Sequence, residues 1–228
     1  MFIEYERSEY FSQAEFLYNL SKEDNEKREL LTNLIVIDIV TNLEVYVERL
    51  LKQFLKKYNE VGMPSSKIDE KLKVEHSKKA ISEIQSIINH AHKKDVVICK
   101  LKEISKLWVA EVDPVIKLEV NTKFPRGKHG EVHLSELFEK MNIIDVLSKV
   151  NVPSPSKSFL DDNKLDVAEF IGEMTSKRNI AIHEGVPLHH SVTMENLRFY
   201  IDTTDAILKQ LTDIVNGELQ RHNELLAS

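Results

Sequence analysis

The stretch EMTSKRNIAIHEG (residues 173–185) places an Arg, an Asn and a His near the end of an amphipathic helix that a Gly terminates. Arg178, Asn179 and His183 thereby combine a fixed charge, a neutral hydrogen-bonding group and a titratable imidazole within two helical turns. A free imidazole, with a pKa of about 6.5, exchanges protons near neutral pH, and a guanidinium group binds phosphate oxygens. We therefore predict a functional site at this helix end, with the rest of the chain as its scaffold.

The helix that carries this stretch is predicted to run from about residue 164 to about residue 182, with N-capping side chains at residues 161–163 and Asp166 in its first turn. Extending its apolar face by four residues reaches Arg178, which should therefore be partly sheltered. The apolar face consists of Val167, Phe170, Ile171 and Met174. A second face of small residues leads to Asn179 and His183, so we expect another helix to pack closely there. The small residues are Ala168, Gly172 and Thr175.

The composition is that of an ordinary soluble globular protein with a mostly helical fold. Apolar residues make up 42% and charged residues 30% of the 228 positions, and only six Gly and six Pro interrupt the helix formers. The single cysteine, Cys99, excludes an internal disulfide and a cysteine-rich zinc site. The N-terminus lacks the apolar core of a signal peptide, and the apolar run at residues 34–40 is too short and interrupted to span a bilayer. We therefore expect a cytoplasmic protein.

Apolar periodicity predicts further helices at about residues 5–20, 25–58, 68–92 and 193–226, and favours helix over strand after residue 96. Apolar residues, among them Leu30 and Leu34, surround the axis of the second helix in its first half, which predicts a position central to the core. The third helix is predicted to bury an apolar stripe: Ala80, Ile81, Ile84, Ile87 and Ile88. The loop-rich segment at about residues 109–157, with short helices at about 134–141 and 143–150, is interpreted as an insertion or subdomain.

The sequence RNIAIH (residues 178–183) resembles the Arg-Asn-x-x-x-His signature of the HEPN (higher eukaryotes and prokaryotes nucleotide-binding) superfamily. These all-helical domains are common in bacterial toxin–antitoxin, abortive-infection and other defence systems. The acidic–aromatic pair Glu44 and Tyr46 resembles part of their long early helix, and Thr193 resembles the start of their last one. The middle segment resembles the insertion of a defence-associated branch whose name pairs a ribonuclease-like label with HEPN. The resemblance implies one all-α domain over residues 1–228, a bundle of long antiparallel helices with a loop-rich insertion before the motif helix.

The same resemblance implies a metal-independent endoribonuclease that cleaves single-stranded RNA or tRNA and leaves a cyclic phosphate. In that role Arg178 would hold the scissile phosphate, Asn179 would position it, and His183 would be the acid/base. One such set lacks a second acid/base, which a homodimer with a composite active site would supply. Glu44 could orient Arg178 or His183, although an exposed helical glutamate fits the pattern equally well. Glu184, between His183 and the displaced Gly185, is a second supporting residue.

Two other interpretations compete with the ribonuclease. A non-catalytic HEPN dimer could bind a partner protein or a nucleotide, and the net charge of −6 favours this, although one local cationic cleft would suffice to hold RNA. A metal site could use pairs of histidines, but the pairs lack cysteine or carboxylate partners at ligand spacing, and His129 lies in a loop. The pairs are His129/His133, His90/His92 and His189/His190. We expect no metal, no cofactor, no membrane and no DNA, with RNA and an antitoxin or sensor protein as partners.

Overall fold

The computed structural model describes residues 2–24, 26–109, 113–153 and 164–227, and within these ranges the chain forms eight α-helices and no β-strand. The predicted all-α fold is confirmed. The helices are α1 (Ser8–Glu23), α2 (Arg28–Val61), α3 (Glu70–Ile87), α4 (Lys94–Val109), α5 (Glu131–Lys140), α6 (Val146–Lys149), α7 (Val167–Asn179) and α8 (Met194–Ala227). Short 3₁₀ turns lie at Ser65–Lys67, Ala91–Lys93 and Leu188–His190, and a π turn extends α7.

The core is built on α2 and α8, the two longest helices, with α1 packed against both. The hydroxyl of Tyr46 on α2 hydrogen-bonds Thr212 on α8, and two turns further Phe54 packs edge-on against His222. Because residue numbers rise together at these contacts, α2 and α8 run parallel to each other. The predicted antiparallel arrangement holds for α1, which follows α8 in the opposite direction and joins α2 through a short connection. The segment from α3 to α7 then returns the chain to the end of the core at which α2 begins.

Two expectations about burial hold only in part: most of the apolar residues predicted for the first half of α2 are buried, among them Ile35, Ile39 and Val40, but some on α2 and α3 are exposed. On α3, Ala80 and Ile84 are buried, but Ile81 and Ile88 are exposed, because only one narrow row of α3 faces the core and α4 covers little of the rest. On α2, Leu30 and Leu34 are exposed, at 60% and 39%, so the first half of this helix is not surrounded on all sides. Periodicity identifies the apolar face of a helix, but burial also requires a neighbouring element that covers it.

By length and composition alone, α2 is apolar enough to cross a membrane. Its buried residues instead form the centre of the core: Val47, Leu50, Leu51 and Phe54 are at most 1% exposed. A buried core helix passes the same test of length and composition, so we interpret α2 as a core helix.

Candidate active site

The motif helix α7 begins at Val167, three residues later than predicted. Asp166 caps it, because its carboxylate accepts a hydrogen bond of 3.0 Å from the backbone N–H of Glu169. The caps expected at residues 161–163 lie outside the described residues. The predicted core face is confirmed, since Val167, Phe170, Ile171 and Met174 are all buried.

At Ile180 the winding of the motif helix changes, and Ile180–Glu184 forms a π turn that ends at Gly185. Gly185 adopts the left-handed conformation, with φ of 62°, as expected of a glycine that stops a helix. In a regular α-helix, Arg178 and His183 would lie about 140° apart around the axis. The wider π turn pairs residues five apart, so His183 moves towards the side of Asn179 and Arg178. The Arg-Asn-x-x-x-His spacing therefore suits a π turn better than a straight α-helix.

One edge of α2 positions the segments around this turn. Asn33 accepts a hydrogen bond of 3.0 Å from the backbone of Leu188 and so ties down the chain that leaves the motif. Three turns further along α2, Glu44 hydrogen-bonds His129 at 2.9 Å, and Glu48 accepts a bond of 2.8 Å from the backbone of Phe124. An α-helix rotates by about 100° per residue, so the side chains of Asn33, Glu44 and Glu48 lie within about 60° of one another around the axis of α2. One face of α2 therefore holds both the segment that follows the motif helix and the loop at residues 124–129.

Arg178 is half-buried, in agreement with the predicted shelter. Its Nη1 donates a hydrogen bond of 3.3 Å to Oδ1 of Asn179, and its buried Nε makes no hydrogen bond. No carboxylate in the described part of the chain forms an ion pair with it within 4 Å. The guanidinium group thus keeps most of its donors available for a ligand.

Asn179, His183 and Glu184 line an open cleft of about 390 Å³ beside the π turn, and His183 and Glu184 are exposed. Arg178 is not among the residues that line this cleft, but it bonds Asn179, which does, and its charge acts on Glu44. The structure therefore brings two of the three predicted site residues into one cleft and connects the third through a hydrogen bond. Glu184 has no ion-pair partner among the described residues.

The small-residue face of α7 is covered by the start of α5 and the loop before it. A methyl group at Gly172 would come within 3.2 Å of a carboxylate oxygen of Glu131, and Gly130 faces Thr175. The close approach that the small residues predicted is therefore present, and α5 is the approaching helix. Because this contact forms the far wall of the cleft, the start of α5 and the loop before it are part of the site.

Comparison with protein families agrees with this architecture. The model of the RiboL-PSP-HEPN family matches residues 4–217. The chain belongs to this family. No curated protein and no solved structure matches significantly. A domain of the HEPN type is generally a nuclease or a nucleotide-binding module, and the choice between these two follows from the chemistry of the cleft.

In this RiboL-PSP-HEPN protein, Glu44 has a different partner from the one expected. Its carboxylate hydrogen-bonds Nδ1 of His129, and no hydrogen bond or ion pair joins it to Arg178 or His183. Burial raises the pKa of Glu44 above its usual range, while the positive charges of His129 and Arg178 act in the opposite direction. Glu44 thus forms an electrostatic link between the loop and the motif helix.

His129 also lines the cleft, and it was considered from the sequence only as a metal ligand. The signal that could have identified it is its setting in FPRGKHG (residues 124–130), a loop with two glycines, two further cations and an imidazole. His133, its proposed metal partner, instead bonds Glu136 at 2.8 Å on α5. Among the described residues, no three His, Cys, Asp or Glu side chains are grouped so that they could hold a metal ion.

Proposed function

We propose that this RiboL-PSP-HEPN protein is a metal-independent endoribonuclease that cleaves single-stranded RNA or tRNA. The observation that carries the proposal is that Asn179 and His183 line one open cleft, while Arg178 bonds Asn179 and has no carboxylate within ion-pair distance. In this mechanism the ribose 2′-oxygen attacks the neighbouring phosphorus and the bond to the 5′-oxygen breaks. The products are a 2′,3′-cyclic phosphate and a 5′-hydroxyl. The reaction requires only proton transfers and stabilisation of phosphate charge.

The charges around the cleft support an RNA substrate despite the net charge of −6. Lys123, Arg126 and Lys128 are exposed on the loop that leads to His129, and their side chains form no ion pairs within the described part of the chain. Because this loop leads to His129, which lines the cleft, its cations can contact phosphates of an RNA strand beside the cleft and offset the two glutamates of the cleft wall, Glu131 and Glu184.

We also propose that the protein acts as a homodimer. Leu34, Ile182 and Val186 are each at least 39% exposed, and Asn33 bonds the carbonyl of Val186, so these apolar side chains lie at the same end of the molecule as the motif. A second copy is the occupant that would cover this patch while placing two motifs near each other. Sedimentation of Leu34→Glu beside the wild type tests the interface, and an unchanged dimer would show that it lies elsewhere.

In a cell, such an activity would fit a cytoplasmic role in a toxin–antitoxin or phage-defence system. An endoribonuclease that cleaves its host's RNA must be restrained, so an antitoxin or a sensor protein is the partner that this role requires. Neither a membrane nor DNA has a part in the mechanism.

The proposal is tested by incubating purified protein with total tRNA and with single-stranded RNA in the presence of EDTA. Wild-type protein should generate cyclic-phosphate ends, and Arg178→Ala and His183→Ala should each lose about 100-fold or more in rate. His190→Ala is a matched control, because His190 is an exposed histidine outside the cleft. Equal residual cleavage in the wild type and in both motif variants would indicate contamination and refute the proposal.

The alternative is a non-catalytic dimer that binds a nucleotide or a partner protein. The observation in its favour is that Arg178 does not itself line the cleft and reaches it only through its hydrogen bond to Asn179. Nucleotide binding without RNA cleavage, reduced by Arg178→Ala but not by His183→Ala, would support this function instead.

A further inference from the structure

The cleft contains a second imidazole that the motif does not supply. His129 and His183 both line it, although they belong to different segments of the chain. Nδ1 of His129 lies 2.9 Å from Oε1 of Glu44, whose side chain is 15% exposed, whereas His129 itself remains 28% exposed. When Glu44 is ionised its carboxylate can only accept hydrogen bonds, so Nδ1–H of His129 is then the donor and Nε2 is the nitrogen left for a ligand.

The position of His129 is fixed from several sides. Glu44 holds its ring, Glu48 holds the backbone of Phe124 at the start of the loop, and Gly130 follows it in a backbone conformation with φ of 92°. Gly130 in turn packs on Thr175 of the motif helix. A histidine that only filled space on a surface loop would not require a carboxylate on the central helix as its partner.

We propose that His129 is a catalytic residue of the same protomer: the general acid that protonates the 5′-oxygen leaving group, with His183 as the general base. The inference rests on the proposed ribonuclease function. The carboxylate of Glu44 is placed to stabilise the protonated ring, as a buried acidic group does for a catalytic imidazole. The site would then contain both proton-transfer groups in one chain, without an imidazole from a second copy.

His183 takes the proton from the 2′-hydroxyl as the bond between the 2′-oxygen and phosphorus forms. His129 gives its Nε2 proton to the 5′-oxygen as the bond between phosphorus and that oxygen breaks. Arg178 stabilises the charge on the phosphate oxygens. Exchange with water then returns the proton to His129 and removes it from His183.

The deciding experiment compares two substrates that differ in one atom. In the first, an RNA dinucleotide, the leaving group is a 5′-oxygen and requires protonation. In the second, sulfur replaces that oxygen, and because a thiol has a pKa of only about 8.5 the thiolate leaves without an acid. Cleavage rates are measured for wild type, His129→Ala, His183→Ala and His133→Ala. His133 is the matched control, four residues away on α5, where it bonds Glu136 outside the cleft.

His129→Ala should lose about 100-fold on RNA but less than about fivefold on the sulfur substrate, whereas His183→Ala should lose about 100-fold on both. His133→Ala should match the wild type. Equal loss by His129→Ala on both substrates would show that His129 only supports the structure, and no loss on RNA would show that it is not needed. Either result overturns the inference but leaves the proposed function intact, because His183→Ala still separates from wild type. A wild type inactive on both substrates would refute the proposed function itself, and this inference with it.

Discussion

The glycine that joins the His129 loop to α5 offers a direct test of how the site is held. Gly130 has φ of 92° and ψ of −172°, a combination that residues with a side chain rarely adopt. The space around it is not limiting, since an added methyl group would lie 3.6 Å from Thr175, an ordinary contact. The cost of Gly130→Ala is therefore backbone strain alone, about 2 kcal/mol. For a chain of this size that corresponds to a fall of about 4–8 °C in Tm.

Gly217→Ala is the matched control. Gly217 is an exposed glycine inside α8, and an added methyl group would meet no atom within 4 Å. Alanine is favoured over glycine inside a helix by about 1 kcal/mol, so this variant should melt about 2–4 °C higher than wild type. Both substitutions change the unfolded chain in the same way, so the difference between them, about 3 kcal/mol, reports on the native backbone.

Thermal unfolding followed by far-ultraviolet circular dichroism measures both variants, and cleavage of RNA measures the site. We expect Gly130→Ala to lose stability and also activity, because relief of the strain moves His129 away from Glu44. If Gly130→Ala is as stable as Gly217→Ala, the backbone at this residue is not strained and the reasoning fails. If it loses stability but keeps full activity, the position of His129 does not matter for cleavage.

Three further predictions concern the core and the motif. The hydrogen bond to His222 holds the pKa of Asp69 below its usual range, so its ionised form contributes stability above pH 4 that is lost as the pH falls through the lowered value. Asp69→Asn should therefore cost up to about 1 kcal/mol in urea unfolding at pH 7, and this cost should shrink as the pH falls below about 4. Phe54→Ala, in the centre of α2, should cost about 3–5 kcal/mol, and a cost below about 1 kcal/mol would place this side chain outside the core. Arg178→Lys should reduce kcat about 100-fold with unchanged Tm, because lysine keeps the charge but not the fork of donors.

Local sequence patterns predicted the features of the motif helix that depend on neighbouring residues. The 3.6-residue spacing identified the core face of α7 and the shelter of Arg178, and the glycine at 185 marked the end of the helix. The small residues on the second face predicted a close neighbour, which the structure supplies as the start of α5. Each of these follows from side-chain size and helical geometry within about twenty residues.

The features that escaped prediction depend on distant residues or on a change of backbone winding that no residue type marks. Glu44 and His129 are 85 positions apart, and no periodicity connects them. The π turn at Ile180–Glu184 is a local change of winding without a distinctive residue type, so the stretch was treated as a regular helix. The exposure of Ile81 and Ile88 depends on which elements pack against α3, which the sequence of α3 does not contain.

A second histidine in the same chain changes what dimerisation has to provide. If His129 supplies the acid, the partner copy need not contribute an imidazole, and the apolar patch around Ile182 and Val186 must have another purpose. The cleft as it stands is open to water, which weakens the attraction between Arg178 and a phosphate. A second copy seated on the patch would remove water from beside the π turn and so strengthen that attraction. One chain would then contain all the reacting groups of the site, and the dimer would contribute by excluding water from it.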